Sequence, residues 1–144
     1  MFGQFPFANG YRQRLWAECV RWVRAYRDWV PAAERAAARE ARALKLLREW
    51  LSPEQLMQYK ATGYFDVIGR QSKKRYRIHR GTAMNVHEID QAGNIRFGWC
   101  FVPDGPLAAG DVMLAQKIAL ETDEWGALAV AKKFTPRELR SNIG

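Results

Sequence analysis

Two histidines and two cysteines are all that this chain of 144 residues offers toward soft-metal or thiol chemistry. His79, His87 and Cys100 fall on runs that read as neighbouring β-strands, where they could converge, with Asp90 as a conceivable fourth donor. Imidazole and thiolate suit a tetrahedral zinc ion, but the spacing matches no recognised ligand pattern, and no metal is expected. The same side chains suit nucleophilic chemistry, with Cys100 attacking and His79 or His87 as its base. That needs hydrogen-bond reach and a third group to orient the ring. Trp99 and Phe101 flank Cys100 and favour an inert core position, in which the thiol acts as a small hydrophobe.

Acid–base work would fall to Asp111, Glu121, Asp123 and Glu124. Three of these sit where helices start, and carboxylates there serve the free N–H groups of the first turn and the helix dipole. Phosphate-cradling strings of the Gly-x-x-x-x-Gly-Lys or Gly-x-Gly-x-x-Gly kind are absent, and strands do not alternate with helices. The expectation is a non-enzyme with no cofactor.

Charge supplies the other chemistry. Lys73, Lys74, Arg75, Arg77, Arg80 and Arg96, with Arg70, cluster in the hairpin region with Tyr76 interleaved. Such a surface can neutralise phosphates while an aromatic ring stacks on a base. No helix-turn-helix or RNA-recognition motif accompanies it, and a basic hairpin also serves as a solvated edge that discourages strand pairing. The net charge of +8 is uneven: residues 1–60 carry 11 basic against 6 acidic side chains, 61–100 carry 7 against 3, and 101–144 carry 5 against 6. A field of this sign favours an acidic protein partner, nucleic acid or anionic lipid, and speaks to association rather than fold.

The elements that position these residues follow from periodicity. Tyr64–Ile68, Arg75–His79, Met84–Ile89 and Asn94–Val102 are rich in aromatic and β-branched residues and are separated by turn formers, which predicts a four-stranded antiparallel meander. Gly69–Lys74, Gly81-Thr82 and Asp90–Gly93 supply the bends, with Gly93 suited to positive φ. On the last strand Ile95, Phe97, Trp99 and Phe101 share the face expected to be core. Asp111–Thr122 follows as a helix whose stripe Val112, Leu114, Ala115, Ile118 and Ala119 closes over the sheet. A further helix from Thr122 through Ala131 and a capped turn at Thr135 end the chain, with residues 141–144 frayed.

Upstream, Tyr11–Val30 reads as an amphipathic helix with Asn9 as N-cap, and Trp16, Trp22, Tyr26 and Trp29 lie on its apolar half. Packing against a second helix and the sheet module is the expected cover for that face. A protein partner or self-association is the next reading, and a membrane surface or targeting role the third. Phe2, Phe5 and Phe7 precede it on a tail expected to tuck into a groove. Pro31 is expected to kink or restart the helix, making Ala32–Leu51 the second arm of a hairpin or bent rod. Ser52-Pro53-Glu54-Gln55 is a capping box with proline at the first helical position, opening a short helix to about Ala61 that Gly63 ends.

The strings Gly63–Gly69, Tyr76–Ile78, Asn85-Val86, Cys100-Phe101 and Gly110–Glu124 resemble a family of small, uncharacterised bacterial and phage-borne domains, over about half of the chain. The resemblance implies a module and carries no site or activity with it.

Together these readings predict an α+β protein: a helical region over 1–62, a β-meander with its closing helix over 63–134, and a short turn and tail over 135–144, expected to form one folding unit. Length and a 48% hydrophobic composition are enough for a core of its own. No cysteine framework, transmembrane run or charged-then-apolar leader is legible, so a reducing, cytoplasmic setting is expected, or a virion if the phage likeness holds. The functional expectation is a structural or interaction protein that meets an acidic partner, with sequence-tolerant nucleic-acid binding as the alternative.

Overall fold

Ser52 accepts a hydrogen bond from the Gln55 amide while the Gln55 side chain accepts one from the Ser52 amide, so the chain turns here as its sequence prescribes. A computed structural model describes the backbone of residues 8–141 and the side-chain surroundings of 13–138. The phenylalanine tail (Phe2, Phe5, Phe7) and residues 142–144 lie outside the described residues.

The elements are α1 (Ala8–Trp50), α2 (Pro53–Thr62), β1 (Tyr64–Ile68), β2 (Arg75–His79), β3 (Val86–Ile89), β4 (Ile95–Cys100), α3 (Ala109–Thr122), α4 (Glu124–Val130), β5 (Lys132–Phe134) and α5 (Pro136–Ser141). The chain divides into two compact units, Met1–Ala38 and Arg39–Gly144, and the division falls inside α1.

The first unit is described by α1 alone. The expected hairpin does not form, because α1 runs through Pro31 without a break. Proline removes one helical hydrogen bond and costs about 3 kcal/mol in a helix interior. Good helix formers on both sides, Ala32–Ala38 above all, outweigh that local penalty. Asn9 correspondingly lies within the helix rather than at its cap.

The second unit is built on a five-stranded antiparallel sheet in the order β1-β2-β3-β4-β5. Its fifth strand is one more than the meander foresaw. One face carries Phe65, Val67, Tyr76, Ile78 and Val86, and Leu44, Leu47 and Leu51 from the end of α1, Met113, Leu114 and Leu120 of α3 and Ala127 of α4 complete the core with them. The α1–α3 approach is very close: a Cβ on Gly110 would lie 2.4 Å from the Ala43 carbonyl carbon. Ala108 has no side chain to cap α3, and Glu40 does so from α1, accepting from the Ala109 amide at 2.9 Å.

Two expected faces are corrected. On β4 the register slips at Glu88/Ile89, so that Glu88 pairs with Phe97 and Ile89 with Ile95, leaving Arg96 as the extra residue of a bulge. A bulge breaks the period-two count. Trp99 and Phe101 pack on the core as expected, but Ile95 is exposed. On α3 the buried positions are Val112, Met113, Leu114, Gln116 and Leu120, and Ala115 and Ile118 stay open. The helix is turned by Gln116, whose amide exchanges two 2.9 Å hydrogen bonds with the buried Asn85. That pairing satisfies both amides and pins α3 to the β2–β3 turn.

The β1 edge is stoppered. Gln58 accepts from the Asp66 amide at 2.8 Å, Gln55 donates to the Asp66 carbonyl at 2.9 Å, and Thr62 accepts from the Tyr64 amide at 3.3 Å. At the opposite edge β5 has only three residues, two of them exposed lysines.

Candidate functional site

Antiparallel register places Tyr64, His79 and His87 side by side on the sheet face away from the core, because Tyr64 pairs with His79 and His87 with Arg77. Ring centroids lie 5.1 Å apart for Tyr64 and His79, 4.7 Å for His79 and His87, and 6.4 Å for His87 and Phe134. Phe134 reaches His87 only because β4 has Gly98 beneath it: a Cβ there would meet the ring at 1.9 Å. This four-ring row buries His87, and neither of its nitrogens has a partner in hydrogen-bond geometry.

Of the three soft donors the sequence singled out, the two imidazoles therefore meet. Cys100 lies half-buried on β4, and with both His87 nitrogens unpaired that ring is no oriented base for it. Among the described residues no three His, Cys, Asp or Glu side chains converge on a metal position. Asp90 instead accepts from the Asn94 amide in its own turn.

Burial pushes the His79 imidazole down to about 4, with the His87 and Arg77 neighbours acting in the same direction and Asp66 against them. Burial also lowers His87, and the Met84 backbone, short of hydrogen-bond geometry, opposes it. Both rings are neutral at neutral pH. A histidine with a depressed folded pKa binds its proton more readily when unfolded, so stability is lost as pH falls from about 6.5 toward about 4. His79 alone is expected to take away about 2 kcal/mol between pH 8 and pH 5. Urea midpoints of the wild type and His79→Gln at the two pH values check this, and an equal drop in both proteins would contradict it.

The basic residues are largely committed to internal partners. Arg77 holds Asp66 with two bonds of 2.8 and 3.1 Å and lies 4.1 Å over the Tyr64 ring. Arg75 donates to the Asp90 carbonyl at 2.8 Å, Lys74 meets Glu88 at 2.9 Å, Arg80 approaches Glu40 at 3.9 Å, and Lys73 donates to the Arg70 carbonyl at 2.8 Å. Arg96 is exposed on the bulge. Tyr76 corrects the sequence reading: it is fully buried and cannot stack on a base. It faces the core because β2 alternates, with Arg75, Arg77 and His79 on the opposite side.

What Tyr76 does there was not legible. Its hydroxyl donates at 2.6 Å to Glu124, a fully buried carboxylate that also accepts from the Gln71 amide at 2.9 Å, the Ser72 amide at 2.7 Å and the Ser72 hydroxyl. Gly69 lets the carboxylate in, since a Cβ there would lie 2.4 Å from its carbon. Burial is the largest influence on this group and would raise its pKa. The hydrogen bonds from Ser72, Tyr76 and Gln71 together outweigh burial and hold it below the usual range. With every oxygen committed, Glu124 is an anchor between the β1–β2 turn and α4. Its neighbour Asp123 caps α4 as the sequence suggested, accepting from the Gly126 amide at 3.1 Å.

An open apolar surface runs along α1. Leu15, Trp16, Trp22, Val23, Tyr26 and Trp29 are 60% to 74% exposed. The separate second helix expected to cover them is not formed, since α1 runs through Pro31 without a break. A second apolar surface, a groove of about 480 Å³, lies between the β4–α3 segment, α3 and α4, lined by Phe101, Val102, Leu107, Ala115, Ala119 and Val130 among others. No helix among the described residues is long and apolar enough to cross a membrane.

No protein-family model, curated protein or solved structure matches this chain.

Proposed function

We propose that this is a non-catalytic interaction protein that engages a protein partner through the aromatic stripe of α1. One observation carries the reading: three indoles and a phenol stand open to solvent along a single helix face. Leaving rings of this size in water is costly, and exposed apolar patches of this extent mark contact surfaces, where Trp, Tyr and Arg dominate binding energy. Arg14, Arg21 and Arg24 fall on the opposite half of α1, a basic side that suits a partner with acidic groups. A cytoplasmic component, or a virion component if the phage likeness extends to function, fits this role.

Nucleic-acid binding through the hairpin draws less support, since its tyrosine is buried and Arg77, Lys74 and Arg75 have internal partners. The deciding experiment is quantitative co-purification from the native host with wild-type chain and with Trp22→Glu/Trp29→Glu. The expected result is a stoichiometric protein, of this or another sequence, that the double variant loses. Equal recovery with both chains would refute the reading.

A further inference from the structure

The spacing of the exposed stripe is more informative than its hydrophobicity. Cys19, Trp22, Tyr26, Trp29, Ala33 and Ala36 recur at alternating steps of three and four residues. A single buried helix needs only a period near 3.6, whereas a repeat of 3.5 is the pattern by which one helix meets another along a shallow crossing. The open area is adequate. Four aromatic rings of roughly 150 to 250 Å² each, about two-thirds exposed, with Leu15, Cys19 and Val23, present on the order of 750 Å², close to the ~800 Å² per partner of a stable interface.

We infer that α1 pairs with α1 of a second copy of this chain, antiparallel, an inference that rests on the interaction reading above and names its partner. Orientation follows from side-chain size. The seam is bulky from Trp22 to Trp29 and small at Ala33 and Ala36. Parallel pairing sets indole against indole at one end and alanine against alanine at the other, so the helix axes would have to splay. Antiparallel pairing lays Trp22 against Ala33, Cys19 against Ala36 and Tyr26 against Trp29, so the bulk sits at the centre and narrows equally toward both ends, and the axes do not splay to one side. The arrangement is two-fold symmetric and closes as a dimer.

Charge separates this partner from the alternatives. The seam holds no charged residue from Cys19 to Ala36, so pairing persists as salt rises, whereas docking on nucleic acid or anionic lipid weakens.

Sedimentation of the full chain at micromolar concentration, at low and high salt, is expected to show a dimer in both, and Trp22→Glu a monomer that still unfolds cooperatively, with a midpoint no longer dependent on protein concentration. In a Cys100→Ser background, mild oxidation is expected to cross-link Ala36→Cys through Cys19 of the other copy, and to leave the chain without that substitution uncross-linked. A strict monomer overturns the inference, as does ready Cys19–Cys19 cross-linking or association seen only on phosphatidylserine vesicles. A monomer that still yields a stoichiometric foreign protein in co-purification rejects the homodimer and retains the interaction reading, and loss of both rejects both.

Discussion

Replacing Glu124 by alanine is expected to lower the unfolding free energy by about 4 kcal/mol, roughly 15 °C in midpoint temperature. The carboxylate accepts from two backbone amides, the Ser72 hydroxyl and the Tyr76 hydroxyl, and alanine strands all four donors while opening a void at a site with no solvent exposure. Tyr76→Phe removes only one donor and should cost about 1 kcal/mol. Glu124→Gln should fall between, because its NH₂ group confronts donors rather than acceptors. The acid limb carries the same signature. A carboxylate held below its ordinary pKa contributes stability above about 4.5 and loses it as pH falls through the folded value, beneath the window in which His79 acts. Urea denaturation of the three variants checks the series, and a loss under about 1 kcal/mol for Glu124→Ala would refute the anchor.

Gly110→Val is expected to cost about 3 kcal/mol or to prevent folding. The new Cβ would lie 2.4 Å from the Ala43 carbonyl carbon, 2.6 Å from its oxygen and 2.6 Å from the Leu44 amide nitrogen. All three are backbone atoms, so trimming Ala43 to glycine cannot relieve the clash, and α3 must move off α1. That movement would also break the hydrogen bond from Ala109 to Glu40. Gly126→Ala provides the contrast: its Cβ would meet the Asp123 carboxylate, a side chain that can swing aside. Near-ultraviolet circular dichroism with thermal melts should show the Gly110 variant losing fixed packing while the Gly126 variant retains it, and equal melts for the two would contradict the argument.

Much of the fold was legible because its signals are local. The Ser52 box, the left-handed Gly63 that ends α2 and the positive φ of Gly93 in the β3–β4 turn each depend on a few adjacent residues. What was not legible depends on distant partners. Strand β5 is three residues long with two lysines, too short and too polar to announce itself, and the space its Phe134 fills is made by Gly98 on another strand. Glu124 read as an ordinary helix-start acid, and its task is set by Gly69, Ser72 and Tyr76 about fifty residues away. Tyr76 was misassigned because neighbouring arginines in sequence suggested a shared surface, whereas alternation along β2 sends it to the other side. The α1 stripe was read correctly as apolar, but its cover was sought within the chain on the strength of Pro31, whose local cost the surrounding helix formers absorb.

The glutamine and threonine side chains along β1 bear on how copies of this protein can accumulate. With the outward amides of Tyr64 and Asp66 and the Asp66 carbonyl already occupied, and only a lysine-bearing stub at the far border, the sheet offers little open backbone as a template for fibrillar growth. Polymerisation by strand donation is thereby disfavoured. The borders thus guard against strand addition in a protein that keeps an aromatic helix face open to solvent.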